Sequence, residues 1–202
     1  MRIIFATGNK DKMREIRQIL GDLKWPILSM KEAGISSDPE ETGSSFEENA
    51  LIKARAAANM LEDSSQTIVM ADDSGLEVDA LNKEPGIYSA RYLGEDTSYK
   101  IKNQNILDRL EGVETEKRTA RFVAAIAAVL PNGESLSVRG VIEGKIGYEE
   151  RGANGFGYDP IFYLPDMSCS TAELAEEEKN KISHRGRALK KMKQLLEEKY
   201  SL

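Results

Sequence analysis

Thr67-Ile68-Val69-Met70-Ala71-Asp72-Asp73-Ser74-Gly75 is the stretch on which the fold turns: an apolar run ending in two adjacent carboxylates and then a glycine. Its first five residues read as a buried strand, and the acids, with a glycine turn behind them, read as a functional strand end. Adjacent carboxylates repel one another. The simplest device that relieves the repulsion is a divalent cation with hard oxygen ligands, usually magnesium. Such a cation needs an anionic partner. Thr7 to Lys12, Gly155 to Asp159 and Lys179 to Arg185 carry the small, polar and cationic residues suited to phosphate or base recognition.

Upstream of this stretch, Ile3 to Ala6 is a short apolar run. Lys10 to Leu20 follows it with Met13, Ile16, Ile19 and Leu20 at helical spacing, giving strand, tight turn and helix. Ser45 and Glu48 form a capping box for a second helix whose face is Phe46, Ala50, Ala54, Ala57 and Leu61, with Asn49 and Lys53 one turn apart beside it. Downstream, Thr97 to Leu110 reads as a helix with Ile101, Ile106, Leu107 and Leu110 on its apolar side. Ala120 to Leu130 and Ser135 to Glu143 flank Pro131-Asn132-Gly133 as a long antiparallel hairpin. Ser170 and Glu173 form a second capping box before an acidic helix. Ala188, Leu189, Met192, Leu195, Leu196 and Tyr200 give the C-terminal helix its apolar stripe. The spacing predicts an α/β fold: a mixed twisted sheet with flanking helices, forming a single domain over residues 1–202 with two lobes around a central cleft.

The chain has 202 residues, enough to bury most of its apolar surface without staples, and its single cysteine, Cys169, excludes an internal disulfide. The longest apolar stretch, Phe122 to Leu130, is half of the roughly 18 residues that a membrane span requires, and no signal peptide is evident. A soluble, cytoplasmic protein is expected. The net charge of −6 repels nucleic-acid backbones and anionic membranes, so neither a polynucleotide nor a membrane is an expected partner. A small phosphorylated ligand needs only a local cluster of donors, which this composition allows.

Thr7-Gly8-Asn9, with Lys10, Asp11 and Lys12, lies where free N–H groups and the positive end of a helix dipole favour an anion. Taken alone, a plain turn with Thr7 or Asn9 as cap explains it equally well. Glu40 and Glu41 form a second acidic pair in a turn-rich segment. Composition alone makes this a solvated surface unless the fold brings Glu40 near Asp73, where the two would share a cation. Neither pair has histidine or cysteine beside it, which disfavours zinc. Gly152, Gly155 and Gly157 surround Phe156, with Tyr158 and Asp159 following, so Phe156 is either a platform for a base, at about 1 to 3 kcal/mol per stacked base, or a plug in the core. His184, the only histidine, stands in a donor-rich run from Lys179. Ser183, His184 and Arg185 together would offer donors to a purine 6-oxo group, and an amino group there would leave donors unpaired at on the order of 1 to 3 kcal/mol each. Ser74 lacks the setting of a nucleophilic serine, and Cys169 reads as a small apolar filler.

Together, several motifs resemble the inosine/xanthosine triphosphate pyrophosphatase family in order and spacing across nearly the whole chain. They are Thr7-Gly8-Asn9 with Lys12; Ser45-Phe46 with Glu48-Asn49-Ala50 and Lys53-Ala54; Ala71 to Gly75; Glu84 to Tyr92; Gly155 to Phe162; and Ser183-His184-Arg185. The resemblance implies a homodimeric, magnesium-dependent enzyme hydrolysing ITP, dITP and XTP to the monophosphate and pyrophosphate. It assigns phosphate binding to Thr7, Gly8, Asn9, Lys10, Asp11 and Lys12, with Lys53 a further phosphate contact, and metal binding to Glu40 and Asp73. Asp73 would also orient or deprotonate the attacking water, and Ser74 would touch the substrate. Phe156, Gly157, Tyr158, Asp159, Lys179, His184 and Arg185 would surround the base and sugar.

Overall fold

The computed structural model describes residues 1–200. The strands are β1 (Arg2–Phe5), β2 (Ile27–Ser29), β3 (Thr67–Val78), β4 (Thr119–Val129), β5 (Ser135–Ile146) and β6 (Phe162–Tyr163), in sheet order β2-β1-β3-β4-β5-β6. The helices are α1 (Lys10–Ile19), α2 (Phe46–Ala58), α3 (Tyr99–Arg109), α4 (Glu176–Ile182) and α5 (His184–Tyr200). β1 pairs in parallel with both β2 and β3, whereas β5 and β6 are antiparallel, so the sheet is mixed as expected. β4 and β5 are neighbours joined by residues 130–134, a link short enough only for an antiparallel hairpin. Gly133 takes the positive φ of that turn.

The chain forms two compact units. Residues 1–73, 124–140 and 185–200 make the first, residues 74–123 and 141–184 the second, and β3, β4 and β5 each contribute to both. In the first unit, Ile3 and Phe5 of the buried β1 pack with Met13, Ile16 and Leu20 of α1 and with Ala188, Leu189, Met192 and Leu196 of α5. β1 lies between two parallel neighbours, so its unbroken apolar run needs no polar face. In the second unit the core joins Leu76 and Val78 of β3, Ile106 of α3, Phe122, Ile146 and Phe162.

Several expectations change on contact with this packing. The glycine turn predicted after Asp73 is absent. β3 runs on through Val78, and Gly75 is a point of close approach at which a Cβ would collide with the Gly86 carbonyl oxygen and Ser89 Oγ. Ser89 Oγ accepts the Leu76 N–H at 2.9 Å and donates to the Gly86 carbonyl at 2.6 Å, so the loop is tied to the strand where a side chain would intrude. Ile101 is exposed, and α3 instead turns Lys102 and Asn103 inward to hold backbone carbonyls. Leu195 is likewise outside the buried stripe of α5. The Ser170 and Glu173 box closes a single 3-10 turn, and the acidic helix α4 starts later, after Ala175. At α2, Ser45 accepts the Glu48 N–H as predicted, but the Glu48 carboxylate takes the N–H of Ser44 in place of that of Ser45.

The packing at Gly75 predicts that Gly75→Ala lowers folding stability by about 1 to 3 kcal/mol through overpacking, read as a lower urea midpoint.

Candidate active site

The parallel ladder sets Phe5 beside Met70. Thr7 therefore leaves β1 at its carboxyl end, where open α/β sheets bind ligands, level with Asp72 in the interior of β3. Asn9 starts α1 and accepts the N–H groups of Asp11 and Lys12 at 2.9 and 3.0 Å, fixing the turn before the helix. Thr7, Gly8 and Lys12 line a hollow of about 120 Å³ with Asp38, Lys53 and Asp72. Thr7 and Gly8 also line a second hollow of about 760 Å³, together with Asn9, Lys10, Met13, Met30 and Ile35, and the Asp11 carboxylate pairs with Arg14 at 2.9 Å.

Asp72 and Asp73 form their ion pairs with different side chains. Successive strand side chains point to opposite faces, and the two carboxylates have separate partners. Lys12 Nζ donates to Asp72 Oδ1, Arg185 Nε donates to Oδ2 at 3.1 Å, and Arg185 Nη1 reaches Glu15 at 2.5 Å. Burial alone would lift the Asp72 carboxyl, but Arg185 and Lys12 hold it well below the usual carboxylate range. Burial likewise works against the Arg185 cation, and Asp72 and Glu15 keep it raised.

Asp73 has a different cation. Lys53 of α2 donates to Asp73 Oδ1 at 2.8 Å and to Glu41 at 2.9 Å. Burial raises the Asp73 carboxyl above its ordinary value, Lys53 pulls it down, and Glu41 pushes it up. Lys53 stays protonated: burial disfavours its charge, but Asp73 and Glu41 raise it. Asp73 Oδ2 is buried with no hydrogen-bond partner among the described residues. Glu40, nominated from the sequence, is exposed, and its neighbour Glu41 is the acid that reaches Lys53. Ser74 follows Asp73 in β3 and is half-buried.

In the second unit, Gly155 and Gly157 both adopt positive φ, and between them Phe156 stands half-buried. Its N–H donates to Asp159 Oδ2 at 2.9 Å. Lys179 Nζ donates to the same oxygen at 2.5 Å and lies 5.0 Å from the centre of the Phe156 ring. Thr171 donates to the other Asp159 oxygen at 2.8 Å. A Cβ on Gly155 would strike the Asp159 carboxylate, so the glycine admits the acid that holds Phe156 in place. Lys179 and Asp159 therefore support Phe156. Tyr158 is buried, its hydroxyl donating to the Ser89 carbonyl at 2.7 Å. Desolvation lifts its phenol above the ordinary value. His184 stacks on Phe122, with centroids 4.9 Å apart and planes 16° from parallel.

Glu15 was not found from the sequence. Its signal was present: it stands one turn before Ile19 and beside Ile16, and α1 buries it with Met13 and Ile16. An acid on such a buried face implies a buried cation.

Removing one partner of this buried cluster predicts a loss of about 3 to 5 kcal/mol for Asp72→Asn. A depressed carboxyl stabilises fully above its unfolded pKa and loses that contribution as pH falls. The wild type is therefore expected to weaken from about pH 5 downward, and Asp72→Asn to show a shallower acid limb, in urea titrations at pH 7 and pH 3.

The chain matches the Ham1 family over residues 3–195. It is 47% identical over 196 residues to the dITP/XTP pyrophosphatase of Exiguobacterium sibiricum, covering 97% of each chain. It is 47% identical over 194 residues to that of Bacillus subtilis, covering 96% of each. Among solved structures, the HAM1 protein from Coxiella burnetii superposes with a TM-score of 0.86 at 42% identity, over 98% of this chain and 99% of that one. A match along nearly the whole length, in sequence and in fold alike, makes this chain a member of the Ham1 family.

Proposed function

We propose that the protein hydrolyses deaminated purine nucleoside triphosphates, dITP, XTP and ITP, to the monophosphate and pyrophosphate. The observation that carries the reading is a half-buried lysine between two acids, Lys53 with Asp73 and Glu41, near the Lys12 and Asp72 pair at the carboxyl end of β1. The names of the relatives at 47% identity supply the substrate class.

Among the described residues no group of three or more potential ligands forms a complete metal cage. The residues nevertheless fit a hard cation that takes its remaining ligands from substrate. Asp73 Oδ2 is a buried acceptor without a donor, and the acids Glu15, Glu41, Asp72 and Asp73 outnumber the cations Lys12, Lys53 and Arg185 around them. Asp73 with one acid of the Glu40-Glu41 pair would hold magnesium, which when bound neutralises phosphate oxygens. Lys12 and Lys53 bring positive charge to the phosphate chain, and the N–H groups of Gly8 and Lys10 in the turn orient it. Water attacks phosphorus, the α–β anhydride bond breaks, and its electron pair leaves on pyrophosphate. Asp73, beside the phosphate chain, orients the attacking water and takes its proton. Phe156 stacks on the base, held by Asp159 and Lys179, and the donors of Ser183, His184 and Arg185 favour a 6-oxo group over an amino group. The same reading brings a cytoplasmic setting and a homodimer. No helix among the described residues is long and apolar enough to cross a membrane.

A product assay over a panel of triphosphates tests the reading. Pyrophosphate release from dITP with magnesium is expected, with little from dATP and little without the metal. Asp73→Asn is expected to lower kcat at least about 100-fold with the fold retained by circular dichroism. Equal turnover of dATP and dITP, or an active Asp73→Asn variant, contradicts it.

A further inference from the structure

We propose that Asn49 is a positioning residue: by holding Gly43 it sets the place of the Glu41 carboxylate, and through Glu41 the geometry of Lys53 and Asp73. Asn49 and Lys53 are four residues apart on α2 and so share one side of the helix. Asn49 is fully buried, and its Oδ1 accepts the Gly43 N–H at 2.8 Å. Two residues before Gly43, Glu41 accepts from Lys53 at 2.9 Å. One rigid helix thus grips the loop at one position and its acid at another.

Gly43 fits this role. A Cβ there would lie 2.6 Å from Asn49 Oδ1 and 2.7 Å from the Glu48 Cβ, so only glycine lets the backbone close onto the amide. The tether is separate from the helix cap, because Ser45 already accepts the Glu48 N–H and Glu48 already accepts from Ser44. It is also the innermost of these bonds and the nearest in sequence to Glu41. Asn49 sits among Ala50, Ala54 and Ala57, a buried face that an alanine would complete. In its place is an amide whose Nδ2 has no hydrogen-bond partner among the described residues. A donor buried unpaired disfavours the fold, so the benefit of the side chain lies in the bond its oxygen makes.

This inference rests on the proposed hydrolysis for its kinetic test and on geometry alone for its structural one. In full-length protein with dITP and magnesium, Asn49→Ala is expected to lower kcat about 10- to 100-fold, with KM within about threefold, because small misplacements of a catalytic group have effects of that size. Asn49→Asp keeps the accepting oxygen and is expected to return kcat to within about threefold of wild type. In a Glu41→Gln background Asn49→Ala is expected to change kcat by no more than about twofold, because a residue acting through Glu41 has nothing left to position. Losses that multiply, or an Asn49→Ala enzyme with wild-type kcat, overturn the inference. Should Asn49→Ala lose its cooperative urea transition, Gly43→Ala is the second variant, with the same expected loss and the same silence beside Glu41→Gln. A crystal structure of whichever variant folds is the arm independent of turnover. Loss of the 2.9 Å bond between Glu41 and Lys53 is expected, and its persistence overturns the inference. A wild-type protein that releases no pyrophosphate refutes the proposed function, and the crystal structure still decides the place of Asn49.

Discussion

A carboxylate in the interior of a strand would, unpaired, rather be protonated than charged, and Asp72 stays ionised because two cations close on it. Lys12 takes one oxygen and Arg185 the other, and Glu15, on the same guanidinium, supplies the second negative charge that balances the two cations. The partners of Asp72 are 60 and 113 residues away in sequence, and Arg185 reaches Glu15 across 170. One buried cluster therefore ties the first helix, the long strand β3 and the last helix. Each charge is tolerable only while the others are in place, so the cluster specifies one arrangement of these elements.

Around that anchor the fold works as a rigid mount. The phosphate turn is fixed by its Asn9 cap, the acids by a strand buried on both sides, and Lys53 by a helix whose alanines allow close packing. In the second unit the same logic holds Phe156 between two glycines in left-handed conformations. The Asp159 carboxylate takes the Phe156 N–H, and a buried lysine lies over the ring. Groups mounted this way need little reordering when a charged ligand arrives, which favours electrostatic catalysis.

Much of this was legible in the residues, for identifiable reasons. Elements with a strong period or a local cap, such as α1 with Asn9, α2 with Ser45 and the Asn132-Gly133 hairpin, follow from short-range chemistry. The end of β3 did not, because glycine in sequence marks either a turn or a close approach. Only the proximity of Gly86 and Ser89 distinguishes the two. Ile101 and Leu195 misled because periodicity says that a face exists without saying how wide it is. At the site, the residue types were readable but their partners were not. That Asp72 joins Arg185 while Asp73 joins Lys53, and that Glu41 rather than Glu40 reaches the lysine, depends on strand alternation and loop path. Both are tertiary properties.

The first unit is assembled from three stretches far apart in sequence, residues 1–73, 124–140 and 185–200. On the ribosome, Glu15 and Asp72 leave the exit tunnel long before Arg185 exists, so a nascent chain carries two acids destined for burial without the guanidinium that makes burial tolerable. The unit can close only after α5 has been translated, which places this chain among topologies that fold slowly because distant segments must meet.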